Sequence, residues 1–209
     1  MEGFVLLLRL RPNGGAAKDS NGNNGYSNKK ASEGGTVKPR WCAVQIPYPS
    51  VMVENPNKYY AHLLMVDHAG YVSETSAITQ YLYHHHVLGE KYPDVAELLE
   101  CISLVEMKHL ELLAEAILKL GGKPKFGTET NRGFDWWKGD YIYYGQDICD
   151  MLAADIQGEV DAIAQYQKHI ELIQDEYVRF LIGRIIKDEK EHIKLITEKL
   201  NKYCRKKPT

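Results

Sequence analysis

One eight-residue phrase, Glu-x-x-Ala-Ile-x-Gln-Tyr, occurs twice in the chain, as ETSAITQY over residues 74–81 and as EVDAIAQY over residues 159–166. Each copy is followed by a Glu-x-x-His pair: Glu106 with His109 in ISLVEMKHLELLAE, and Glu189 with His192 in IIKDEKEHIKLITE. Two such pairs are close to what composition supplies by chance. Their register is not. Antiparallel helices both rise ~1.5 Å per residue, so residues equidistant from a turn lie at the same height. The midpoint between Glu74 and Glu106 is residue 90, inside the breaker GEKYP, and that between Glu159 and Glu189 is residue 174, beside QDE. Each half is therefore predicted to be a helical hairpin whose lone Glu faces a Glu-x-x-His pair.

The rest of the sequence fits that frame. Residues 12–39 are rich in Gly, Asn, Ser and Lys with little to bury, and are expected to be disordered. Residues 40–54 carry apolar groups between prolines and read as an irregular segment lying on the main body; together, 1–54 form an N-terminal region outside the folded domain. Apolar spacing predicts a first helix capped by Asn55 or Asn57 and running to about Leu88. A second runs from a cap at Asp94 to a stop at Gly121-Gly122. A long connection, KPKFGTETNRGFDWWKGD, leads to a third helix from about Tyr141 to Ile173, interrupted at Gly145. A fourth spans about Glu176 to Tyr203, with a short basic tail over 204–209. No β-rich stretch competes. The expected fold is all-α: a four-helix bundle over 55–203, with one long crossover between helices 2 and 3.

Spacing of three residues puts Glu and His of each pair on one helix face, and the flanking AI, LL and II pairs make that face the core face. Four carboxylates and two imidazoles then converge in an apolar interior. Four buried anions without cations would repel and carry a large desolvation penalty. Two divalent or trivalent metal ions remove it, since carboxylates bridge ions and imidazole supplies a nitrogen suited to iron or manganese. Tyr81 and Tyr166 follow their Glu by seven residues, on the same face, and either hydrogen-bond a ligand carboxylate or fill the core. In YHHH (83–86), His85 shares the face of Glu74 but lies ~16 Å along the helix, so these histidines read as its wet end. His62, His68 and His169 read as structural, and Trp136-Trp137 as anchors of the crossover.

The set Glu74, Glu106, His109, Glu159, Glu189 and His192 resembles, at all six positions, the ligand pattern of the ferritin-like dimetal-carboxylate superfamily. The resemblance implies that Tyr81 and Tyr166 stand behind the ligands. It also implies that Asp188, which directly precedes Glu189, orients the imidazole of His109 across the bundle; the equivalent position in the other half is Val105. Rubrerythrins typically add a carboxylate where this chain has Ala162, and often a rubredoxin domain with CxxC motifs, which this chain lacks. The stretch EMKHLELLAEAILKLGGKP resembles the second helix of bacterioferritins, with Met107 at the haem-ligand position, although haem is not expected. Manganese catalases share the ligand set. The resemblance thus implies a non-haem dimetal oxidoreductase of peroxidase or ferroxidase type, with two irons or manganese, acting on hydrogen peroxide or oxygen. Iron binding or storage, and a manganese catalase-like activity, are its rivals.

The formal charge of −2 argues against general attraction to nucleic acid or anionic membranes. No apolar run approaches the ~20 residues of a membrane helix. Cys42, Cys101, Cys149 and Cys204 are far apart, so a disulfide framework is not expected and a reducing cytoplasm suits them. Expected partners are a second copy in a homodimer, a separate electron-donor protein and a small-molecule oxidant.

Overall fold

The structure, a computed structural model, describes residues 40–205; most of the N-terminal segment and the last four residues lie outside this range. The disorder expected for 12–39 falls on residues outside it. Within it the order is α1 (Lys58–Ala69), α2 (Glu74–Leu88), α3 (Pro93–Lys119), β1 (Gly127–Thr130), β2 (Gly133–Trp136), a 3-10 turn (Gly139–Tyr141), α4 (Ile148–Leu172) and α5 (Glu176–Cys204). The bundle consists of α1 and α2 in succession, then α3, α4 and α5. Turns at 89–92 and 173–175 close the two hairpins, and 120–147 form the single long crossover. The fold is the expected one, and no described helix is long and apolar enough to cross a membrane.

Three boundaries differ from expectation, each for a local reason. The first bundle helix is two helices. Gly70 ends α1, where a Cβ would sit 2.6 Å from the Val66 carbonyl oxygen, and Ser73 caps α2 by accepting from Ser76 N at 3.3 Å. Glu74 is thereby the first residue of α2 rather than a mid-helix residue. The N-cap of α3 is Tyr92 with Pro93 at the first position, where its missing N–H leaves no bond unmade. Asp94 binds Lys199, Lys202 and Tyr203 instead. The third long helix begins at Ile148, behind a capping box of Asp147 and Asp150, and not at Tyr141. Two expected caps hold. Asn57 accepts from Tyr59 N and Tyr60 N. At the end of α3, Gly121 adopts φ +84° and the N–H of Gly122 reaches Ile117 O at 2.8 Å, a Schellman stop.

The crossover holds a two-stranded antiparallel hairpin that the sequence reading lacked, with Gly127 opposite Trp136. Trp137 anchors it, Nε1 donating to Ser76 Oγ at 2.9 Å, whereas Trp136 is 63% exposed and packs edge-on against Phe134 of its own hairpin.

The largest correction concerns cysteine. Cys42 bonds Cys101, and Cys149 bonds Cys204. Separation in sequence concealed both pairs, since the bundle returns distant segments to the same end. The premise for a reducing compartment falls with the free thiols. The first disulfide fastens the irregular segment 40–54 to α3. The second joins the start of α4 to the end of α5.

The core forms two dry clusters. One gathers Leu64, Leu113, Ile117 and Ile182; the other Leu99, Ile102, Leu152 and Ile196. Along α3 and α5 the polar residues 106, 109, 189 and 192 fall between them. A polar layer thus sits between two apolar plugs.

Candidate metal centre

Six side chains from four helices meet in that layer: Glu74 from α2, Glu106 and His109 from α3, Glu159 from α4, and Glu189 and His192 from α5. All are at most 4% exposed. They form two overlapping groups, Glu74–Glu106–His109–Glu189 and Glu106–Glu159–Glu189–His192, and within each the ligand atoms lie within 4.8 Å of one another. Glu106 and Glu189 belong to both. Each gives one oxygen to either imidazole. His109 Nδ1 is 2.7 Å from Glu106 Oε2 and 3.2 Å from Glu189 Oε1, while His192 Nδ1 is 2.9 Å from Glu106 Oε1 and 3.0 Å from Glu189 Oε2.

The donor set fits cations. Glu106 Oε1 and Glu189 Oε2 are buried and lack a hydrogen-bond partner among the described residues, although each lies within 3.0 Å of His192 Nδ1. These atoms converge without aiming at one another, the arrangement of ligands around a shared centre. Protons show the same tension. Burial, then the neighbouring carboxylates Glu106 and Glu189, push Glu74 well above the usual carboxylate range, and burial with Glu189 and Glu106 does so for Glu159. Burial opposes charge on His109 and His192, but the surrounding carboxylates outweigh it and hold both well above the ordinary imidazole value. Without cations the cluster stays buried only by holding protons.

Tyr81 and Tyr166 cross between the halves. Tyr81 donates to Glu159 Oε1 and Tyr166 to Glu74 Oε1, each from the helix bearing the other copy of the phrase. Asp188 meets His109 Nε2 at 3.1 Å. All nine residues singled out in the sequence therefore converge.

Further residues stand at this layer, and one of them, His84, departs from its expected place. His84 is fully buried, not the wet end of its helix. Its Nε2 donates to Tyr143 O at 2.8 Å while Nδ1 faces Asp155 Oδ1 at 2.9 Å. A backbone carbonyl only accepts, so the remaining proton is shared between His84 and Asp155; burial raises Asp155, and Asp155 in turn outweighs the effect of burial on His84 and raises it. His169 makes a matching pair with Asp67 at 2.8 Å. Gln80 and Gln165 brace these pairs, each donating to its aspartate at 2.8 Å. The signal was present in the sequence: Glu-x5-Gln-Tyr-x2-His occurs in both copies. Tyr48, from the irregular segment, was also missed. It donates to Asp188 Oδ2 at 2.6 Å and lies 3.2 Å from His109 Nε2.

A cavity of about 420 Å³ adjoins the layer between α2 and α4. Glu74, Tyr81, Glu159 and Tyr166 line it, and the crossover residues Asp140–Tyr143 form an outer wall.

Bundle, crossover and buried carboxylate–histidine layer define a class, and the chain belongs to it: residues 57–205 match the ferritin-like domain family. Among characterised proteins it is similar to the bacterioferritin of Brucella melitensis, 27% identical over 132 residues that cover 61% of this chain and 76% of that one. Among solved structures, a manganese catalase from Anabaena superposes with a TM-score of 0.69 at 21% identity, covering 79% of this chain and 85% of that one. The Mycobacterium tuberculosis bacterioferritin gives 0.59 at 24% identity, over 70% and 87%.

Proposed function

We propose that the protein is a dimetal oxidoreductase that acts on hydrogen peroxide or oxygen, with iron as the working metal. The observation that carries this reading is the pair of overlapping ligand groups sharing Glu106 and Glu189, beside a cavity large enough for a small oxidant. In it Glu106 and Glu189, common to both groups, would help hold both ions, with Glu74 and His109 holding one and Glu159 and His192 the other. Metals bound there would supply reversible one-electron chemistry. The chain supplies the rest. The apolar clusters on either side keep bulk water from the layer. Tyr81 and Tyr166 hold hydroxyl protons at the cavity wall, on Glu159 and Glu74, where an oxygen leaving group needs them. Peroxide reduction breaks one O–O bond, consumes two protons and two electrons and yields two waters. We assign the supply of those electrons to a separate donor protein. A homodimer is the assembly we assign to it.

A manganese catalase-like activity is the second reading, favoured by the suitability of carboxylate and imidazole for manganese and by the Anabaena neighbour. Metal content after purification without chelator, then peroxide turnover with iron and with manganese separately, tests both. Turnover with manganese and no added electron donor selects the second. Neither metal supporting turnover, in a large particle that accumulates iron, would replace both with storage.

A further inference from the structure

The inner ligands repeat in the two halves; what stands behind them does not. Behind His109, Asp188 accepts from His109 Nε2 at 3.1 Å, from Tyr48 OH at 2.6 Å and from Val44 N at 2.8 Å. Arg184 Nη1 lies 2.7 Å from the same carboxylate and its guanidinium covers the Tyr48 ring at 4.3 Å. Arg184 is held in turn by the carbonyls of Val44 and Ile46. Asp188 is completely buried, its oxygens accept from Tyr48 OH and Val44 N and lie against Arg184, and His109 turns Nε2 toward them as the donor. That fixes the tautomer the ring would adopt on ligation: with Nε2–H held by Asp188, Nδ1 is the nitrogen that gives up its proton and would offer its lone pair to the carboxylate layer. Behind His192 nothing comparable stands among the described residues. Its Nε2 is buried with no hydrogen-bond partner among the described residues, and the position equivalent to Asp188 is the buried, apolar Val105. Ligation through His192 Nδ1 would leave a buried N–H unsatisfied, and the tautomer that avoids this puts the proton where the metal would bind.

We propose that the two metal positions are unequal and that Tyr48, Arg184 and Asp188 make them so: an ion on His109 is resident, and an ion on His192 is weaker and exchangeable. This rests on the dimetal reading above and adds an order of filling to it. Partners behind a metal-bound histidine are generally worth roughly 10–100-fold in affinity, and among the described residues only the His109 position has them. Tyr48, from outside the bundle, thereby becomes a positioning residue for the metal centre.

Manganese(II) titrated into metal-free full-length protein tests this without any turnover, followed by calorimetry and electron paramagnetic resonance. The expected result is two steps: an isolated-ion spectrum at one equivalent, then a coupled-pair spectrum at two. Tyr48→Phe and Asp188→Asn should weaken the first step, by roughly tenfold and up to roughly 100-fold respectively, while leaving the second in place. Coupled-pair signal from the first addition onward in the wild-type protein overturns the inequality, whatever the variants do. Two steps that respond equally to Tyr48→Phe, or not at all, overturn the assignment of its cause. Absence of any binding removes the dimetal reading along with the inference, whereas two ions taken up alike remove the inference only.

Discussion

The two disulfides permit a prediction with a calculable size. Cys42–Cys101 closes a loop of 59 residues and Cys149–Cys204 one of 55, and the two loops do not overlap. In the chain-entropy description, closing loops of this length in the unfolded state is worth about 4 kcal/mol each, with measured values reaching from near zero to about 5. For a chain of this size 1 kcal/mol moves the melting temperature by about 2–4 °C, so each bridge is worth up to about 8–16 °C. Because the loops are independent, the double removal should approach the sum. Cys42 and Cys101 are buried, so a reductant reaches them slowly; the Cys42→Ala/Cys101→Ala and Cys149→Ala/Cys204→Ala pairs are the better perturbation. Thermal unfolding followed by circular dichroism measures the loss. The first pair should also weaken the metal position on His109, since its bridge fastens the segment that carries Tyr48, whereas the second pair should not. Four titratable thiols in protein denatured without reductant, or unchanged melting in both pairs, would refute the reasoning.

Further outcomes follow from the same geometry. His84→Leu strands the Asp155 carboxylate and should destabilise the metal-free protein by roughly 3–5 kcal/mol, while His84→Leu/Asp155→Leu recovers most of it, as denaturant unfolding can establish. Tyr81→Phe should leave metal content intact and lower turnover at least about tenfold, because the lost hydroxyl is a proton source and not a ligand; loss of metal instead would make it structural. Lys199, then Tyr203, hold Asp94 well below the usual carboxylate range, so its contribution is present above its unfolded value of ~3.9 and lost as pH falls through the folded one. Being partly exposed, it contributes no more than about 1 kcal/mol, and Asp94→Asn should flatten the acid limb of stability by that amount at most. Loading the metal-free protein with a divalent ion should release protons at neutral pH, because Glu74, Glu159, His109 and His192 all hold them more tightly than usual. A weakly buffered solution that fails to acidify would speak against ligation by these groups.

What could be read from sequence was whatever helical periodicity governs. The heights of Glu74 and Glu106, and of Glu159 and Glu189, follow from counting residues to a turn, so the inner layer was legible in full. Tyr48 was not, because it reaches His109 from an irregular segment with no period to count. The cysteine pairs escaped for the same reason: closure depends on where the bundle ends meet, not on spacing. His84 was misplaced with the whole YHHH run, which was judged by the distance of His85 from Glu74 along one helix. Its partner Asp155 is on α4, one turn before Glu159, and helices running antiparallel bring distant positions on one to the level of nearer positions on another. The break at Gly70 was missed because apolar spacing continues through it.

That break also explains how two unequal halves keep equal bracing. Asp155 precedes Glu159 by four residues, one helical turn, and so shares its face. Asp67 precedes Glu74 by seven, across the interval Gly70–Ser73 where the chain leaves the helix and starts again. Yet Asp67 meets His169 and Gln165 as Asp155 meets His84 and Gln80, with bonds of 2.8–2.9 Å throughout. The three extra residues are therefore absorbed by the break and never transmitted to the layer. The Glu-x5-Gln-Tyr-x2-His phrase can stay in register in both helices while one of them is interrupted. The repetition is conserved where four helices must agree on a single depth. It lapses at Asp188 and Val105, one position outside, where agreement between the halves is not needed and the two metal positions are free to differ.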